Sequence, residues 1–194
     1  VRITPHSKTD DWVAIDHAGA VWLLRPGPSV LRIVGDEQTE IPFDVELGGA
    51  RATLADPEGL IVVPDRGVAH FDGIAFRSLS RSRTRIFDLS FGIVKAPDES
   101  IWIGTLAGIV RVQKDAFLKA LTNAEASLDF QLLDVDDGFT GLPPADVLNN
   151  SAVLGPDGLI WHLMNSGVAT IDPDNLYRNA ESPPVAITSV VEKG

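Results

Sequence analysis

Cysteine is absent from the 194 residues, which excludes disulfides and thiolate metal sites and suits either the cytoplasm or a Gram-negative periplasm. Long apolar runs are missing too. A membrane-spanning helix needs about eighteen or more consecutive apolar residues, whereas runs such as Ala20–Leu24 and Gly59–Val63 are strand-sized. This segment is therefore not expected to insert into a membrane. Basic charge is scarce: 16 Lys+Arg against 27 Asp+Glu leave a net charge of −11. Such a surface repels phosphate backbones, so nucleic acid and anionic lipid are excluded as partners. The one basic cluster, Arg77, Arg81, Arg83 and Arg85, is interleaved with serines and reads as a solvated loop or edge strand. There is no signal peptide, and a chain beginning at Val1 is expected to be processed or excised. Hydrophobic residues are plentiful at 44%, enough to form a sizeable core.

Catalytic and cofactor motifs are also missing. His6, His17, His70 and His162 stand singly, with no H-E-x-x-H pair, so no metal site is expected. Gly104-Thr-Leu-Ala-Gly108 lacks the Lys-Ser/Thr of a phosphate-binding loop, and no G-x-S-x-G elbow occurs. Asp134-Val-Asp-Asp-Gly138 lacks the order of a calcium loop. If extended, Asp136 and Asp137 point to opposite faces and share no acid–base work. No cofactor is expected.

What is present is a repeat. Trp12–Leu23, Ala52–Val63, Gly92–Ile103 and Ser151–His162 align, each an apolar strand, a four-residue turn and a second strand. Its anchors are Trp22, Val62, Trp102 and Trp161, spaced 40, 40 and 59 residues apart. Asp16-His-Ala-Gly19 and Asp56-Pro-Glu-Gly59 are turn chemistry, because Asp bonds its own backbone ahead and Gly tolerates positive φ. A second turn ends at Gly67, Gly108 and Gly167, and a third strand follows it. The first copy has Arg25-Pro-Gly-Pro28 in that place. Four short strands in roughly forty residues is the size of a propeller blade. The fold class expected is therefore an all-β β-propeller of about four to five four-stranded blades, an incomplete arc of a larger ring. The 59-residue gap contains a helical insert at about 113–129, where Lys114–Leu121 has apolar residues at helical spacing.

Ile101-Trp-Ile-Gly-Thr-Leu-Ala-Gly-Ile-Val-Arg111 resembles the two-component regulator propeller repeat, and Asp137-Gly-Phe-Thr-Gly-Leu-Pro143 resembles the lead-in to such a repeat. Ser182-Pro-Pro-Val-Ala-Ile-Thr-Ser-Val190 is similar to the strand opening the triple-tyrosine (Y_Y_Y) sandwich that follows these propellers. The resemblance implies a partial ring of a seven-bladed propeller, with blades over 1–178, then a linker and first sandwich strand over 179–194. It also implies a periplasmic sensor region of a two-component receptor, such as a hybrid histidine kinase. Its partners would be a small-molecule or oligosaccharide ligand and a second copy, in a homodimer or by self-association. The fragment itself is expected not to be an enzyme; a streptogramin-lyase-like or glycan-active propeller enzyme and a protein-binding scaffold are the alternatives. Propeller ligands are expected at the mouth where inner strands begin. Counting eight residues back from the turn positions gives Asp11, Arg51, Phe91 and Asn150 as the candidate ligand-binding set.

Overall fold

The computed structural model describes residues 12–24, 27–80, 83–123, 125–139, 141 and 150–176. Asp11, His6 and the 179–194 segment lie outside them. The chain is a partial β-propeller of four antiparallel sheets, each laid down in chain order from its inner to its outer strand. Blade 1 is β1 (Trp12–Ile15), β2 (Val21–Leu24), β3 (Ser29–Val34) and β4 (Glu37–Pro42). Blade 2 is β5 (Ala50–Asp56), β6 (Gly59–Pro64), β7 (Gly67–Phe71) and β8 (Phe76–Ser80). Blade 3 is β9 (Gly92–Lys95), β10 (Ser100–Thr105), β11 (Gly108–Gln113) and β12 (Gln131–Leu133), with helix α1 (Lys114–Thr122) inserted before its last strand. Blade 4 shows β13 (Ala152–Leu154), β14 (Ile160–Met164) and β15 (Gly167–Ile171). The inner strands adjoin in chain order, β1 to β5, β5 to β9 and β9 to β13, and no comparable contact joins β13 back to β1 among the described residues.

The core sits between blades because alternate residues of one strand face opposite neighbours. Leu60 and Val62 of β6 join Trp22 and Leu24 of blade 1, while Ile61 and Val63 join Ile101 and Ile103 of blade 3. Trp102 turns the other way, onto Ala152 and Ile160 of blade 4. The outermost faces have no such cover, so Val13 and Ile15 at one end and Val153, Leu163 and Val168 at the other are exposed.

Blade 2 departs from the repeat by one residue, and the expected anchor Val62 is corrected to Ile61. Hydrogen bonds from Asp16 to Ala20, Ala96 to Ser100 and Gly155 to Leu159 close the hairpins of the other blades. In blade 2 Asp56 pairs directly with Gly59 around Pro57-Glu58. A slip of one residue moves every side chain of the strand to the other face. Val62 therefore faces blade 1, and Ile61 takes the place that Trp22 and Trp102 hold.

The tryptophan positions share one construction. Trp22 Nε1 donates to Asp16 at 2.9 Å, and Arg32 lies over its ring at 5.7 Å. Trp102 Nε1 donates to Ser100 at 2.8 Å, and Arg111 lies over its ring at 5.2 Å. In both blades that arginine is the cross-strand partner of the tryptophan. In blade 2, His70 is paired with Ile61 at the same place.

The arginine cluster read as solvated is partly tied down. Arg83 donates to the carbonyls of Ala120, Asn123 and Ala126 at 2.8, 3.0 and 3.3 Å, capping the C-terminus of α1 with a positive group. This fastens the insert to the link between blades 2 and 3.

Candidate functional site

Three of the four predicted site residues are described, and they stand along the rim where inner strands begin. Arg51 is the extra residue of a β-bulge between Ala50 and Ala52, a device that re-aims one side chain out of a sheet. Its guanidinium is ion-paired with Asp65 and lies over the Phe91 ring, 5.8 Å from the centroid. Asp65 also accepts from the Gly49 backbone at 3.0 Å. A Cβ on Gly48 would meet that carboxylate at 2.5 Å, so glycine there leaves room for it. Phe91 is buried beneath the guanidinium.

Asn150 works as a piece of backbone. Its Oδ1 accepts from Ile93 N at 2.7 Å, and its Nδ2 donates to Ile93 O at 2.8 Å. Ser151 donates to the Phe91 carbonyl from both N and Oγ, at 3.2 and 2.9 Å. Blade 4 is thus stitched to the first residues of blade 3. Arg51 and Phe91 meet each other, and Asn150 meets the chain two residues beyond Phe91. The sequence reasoning missed Asp65 and Ser151. Asp65 had a signal, because Pro64-Asp-Arg-Gly67 is turn chemistry that brings its carboxylate back over the blade.

Clefts among the described residues lie elsewhere. One of about 450 Å³ runs along the edge of β15, between Ser166–Asp172 and Asp137–Phe139. Another of about 290 Å³ lies between the hairpins of blades 1 and 2, lined by Asp16, Arg32, Glu58 and Asp72. Asp136 and Asp137 are not extended. Residues Val135–Asp137 form a 3-10 turn in which Asp134 and Asp137 cap each other's backbone. No group of three or more His, Asp or Glu among the described residues has metal-holding geometry.

At the opposite rim a buried ionic cluster joins blades 2 and 3. Asp56 accepts from Lys114 at 2.6 Å and from Lys95 at 2.9 Å, and these lysines also reach Glu58 and Glu99 at 3.1 and 3.0 Å. Burial alone would raise the Asp56 pKa, but the two ammonium groups overcome it and hold it at about 2. Burial pushes His70, beside this cluster, below the usual histidine value.

No protein-family model matches the chain, and no curated protein matches it. Solved structures do. The extracellular domain of the hybrid two-component system BT3049 from B. thetaiotaomicron superposes with a TM-score of 0.67 at 17% identity, over 91% of this chain and 23% of that one. The extracellular domain of the one-component system BT4673 from the same organism gives 0.67 and 17%, over 85% of this chain and 24% of that one. Virginiamycin B lyase from Staphylococcus aureus gives 0.55 and 13%, over 82% and 54%. The propeller fold is shared with all three. The chain spans about a quarter of the length of the two B. thetaiotaomicron domains.

Proposed function

We propose that the chain is part of the extracytoplasmic, periplasmic ligand-sensing propeller of a bacterial two-component receptor and carries out no chemistry itself. The observation that supports this best is its likeness to the extracellular domain of a hybrid two-component system over 91% of its length. The ligand is a small molecule, with oligosaccharides as the class to test, held at the channel mouth by Asp11, Arg51, Phe91 and Asn150. Of the three that are described, Arg51 is best placed to meet it, through whatever part of its guanidinium Asp65 leaves open, since Phe91 is buried and the Asn150 amide is engaged with Ile93. A following sandwich opened by residues 179–194 and a membrane helix would relay the signal to a cytoplasmic output such as a histidine kinase. Ligand can drive that relay only through unequal affinity for two states, and about 5.5 kcal/mol converts 1:99 into 99:1.

Calorimetry of the whole receptor ectodomain against an oligosaccharide panel tests the reading. Arg51→Ala is expected to weaken the ligand by about tenfold or more, or about 1.4 kcal/mol, with a thermal melt to confirm folding. Unchanged affinity in both Arg51→Ala and Asn150→Ala would refute the rim site, and turnover of a glycan would refute the sensor reading.

Self-association is proposed on separate grounds. The apolar end faces of blades 1 and 4 are exposed among the described residues, and unpartnered faces and strand edges invite pairing. Sedimentation of this chain is expected to show an average mass that rises with concentration. A single monomeric species throughout would contradict it.

A further inference from the structure

His162 lies in β14 at the centre of the junction between blades 3 and 4, and it is 1% exposed. Its ring occupies the space left by the missing side chain of Gly104: a Cβ placed on that glycine would lie 2.0 Å from Nε2. Nδ1 lies 3.2 Å from the Leu163 carbonyl. A carbonyl can only accept, so Nδ1 bears the proton, and in the neutral ring Nε2 has none. Nε2 is then a bare lone pair, buried, with no hydrogen-bond partner. It faces the α-carbon of a glycine.

Protonation adds an N–H at Nε2 where no acceptor stands among the described residues, and places a charge on a ring that is 1% exposed. Among the described residues, the groups around it offer no compensation. Ala152 of β13 and Ala169 of β15 are its cross-strand partners. β10, β13 and β15 carry no ionisable side chain, and Lys95, the one ionisable residue of β9, is bound to Asp56 and Glu99. Only burial and the Leu163 contact act on the imidazole, and burial prevails in holding its pKa below the usual value.

We infer that His162 is an acid-sensitive latch: taking up a proton at Nε2 unseats the ring from Gly104 and loosens blade 4 from blade 3. The inference stands apart from the ligand-sensing reading, because it concerns the blade junction and survives if no ligand binds the rim.

The sign follows from linkage. The open form binds the proton near the ordinary value of about 6.5, and the closed form binds it only at lower pH. The junction is therefore fully held above about pH 6.5, and its opening equilibrium grows by up to about tenfold per pH unit below that. The growth ends once the closed form itself is protonated.

Hydrogen exchange of this chain, measured from pH 7.5 to 4.5 and expressed as protection factors, reads the effect directly. The expected result is a loss of protection in β13–β15 on acidification, with blade 1 holding. His162→Gln, which cannot titrate, should abolish the pH dependence, whereas His70→Gln should leave it in place. Should His162→Gln fail to fold, the ring proton resonance of wild-type His162 supplies the second reading. Its titration should coincide with the loss of protection. Titration near 6.5 with β13–β15 still protected would overturn the latch, as would an identical pH profile in His162→Gln.

Discussion

Replacing Asp56 by alanine is expected to lower the unfolding free energy by about 3 kcal/mol, the lower end of the cost of breaking a buried pair, because Lys95 and Lys114 keep only the exposed carboxylates of Glu99 and Glu58. The Asp56 carboxylate is 1% exposed and lies between two ammonium groups, at 2.6 Å from Lys114 and 2.9 Å from Lys95. Lys114 is itself 9% exposed and begins α1, the end of a helix where positive charge is least welcome. Asp56 is what makes that placement tolerable, and it joins the blade 2 hairpin, the end of β9 and the insert at one point. Asp56→Asn separates two contributions, since the amide can keep the turn bond to Glu58 N at 3.2 Å while losing the charge. Urea unfolding of the three proteins is the measurement. A loss below 1 kcal/mol in Asp56→Ala would mean that solvent already screens the cluster.

The same carboxylate sets an acid limit. Its folded pKa of about 2 lies below the ordinary aspartate value of 3.8, so its contribution is complete above about pH 4 and fades as pH falls through 2. The His162 junction weakens much earlier, below about pH 6.5. Acidification is thus expected to loosen the His162 junction well before the Asp56 carboxylate takes up its proton.

Trp102→Ala is expected to cost about 3–5 kcal/mol, in the range for truncating a large buried aromatic. Trp161→Ala, at the same position of the repeat, should cost about 1 kcal/mol or less. Trp102 is 1% exposed between two blades, while Trp161 is 39% exposed on the uncovered face of blade 4. Trp102 also loses a hydrogen bond to buried Ser100 and its contact with Arg111 when truncated. Trp161 is paired with Thr170, which offers no cation. Thermal and urea melts of both variants decide the matter. Equal losses would show that another surface covers Trp161 in solution, which sedimentation of the Trp161 variant would then reveal.

Much of the architecture was legible in the residues. Turn signals at Asp16–Gly19 and Asp56–Gly59, glycines at Gly67, Gly108 and Gly167, and tryptophans at a forty-residue spacing are local features. Local chemistry decides hairpins, and hairpins in series make blades. The helical insert was legible for the same reason, through the apolar spacing of Lys114–Leu121.

Register and partnership were not legible. Nothing in Pro57-Glu58 shows that β6 pairs one residue short, because the alternatives differ only in which neighbour each apolar side chain meets. The rim residues were found by counting. Yet only contacts between blades, 40 to 57 residues apart, place Arg51 on Phe91 and Asn150 on Ile93. The scattered histidines looked alike in the chain until packing set one of them against a glycine of the next sheet. By itself, then, the sequence determined the absence of cysteine chemistry, the acidic surface, the turns and the blade-sized units. The tertiary structure decided which faces are covered, which carboxylate is buried between lysines and which imidazole nitrogen lacks a partner. Those properties belong to the space between sheets, and no single blade contains it.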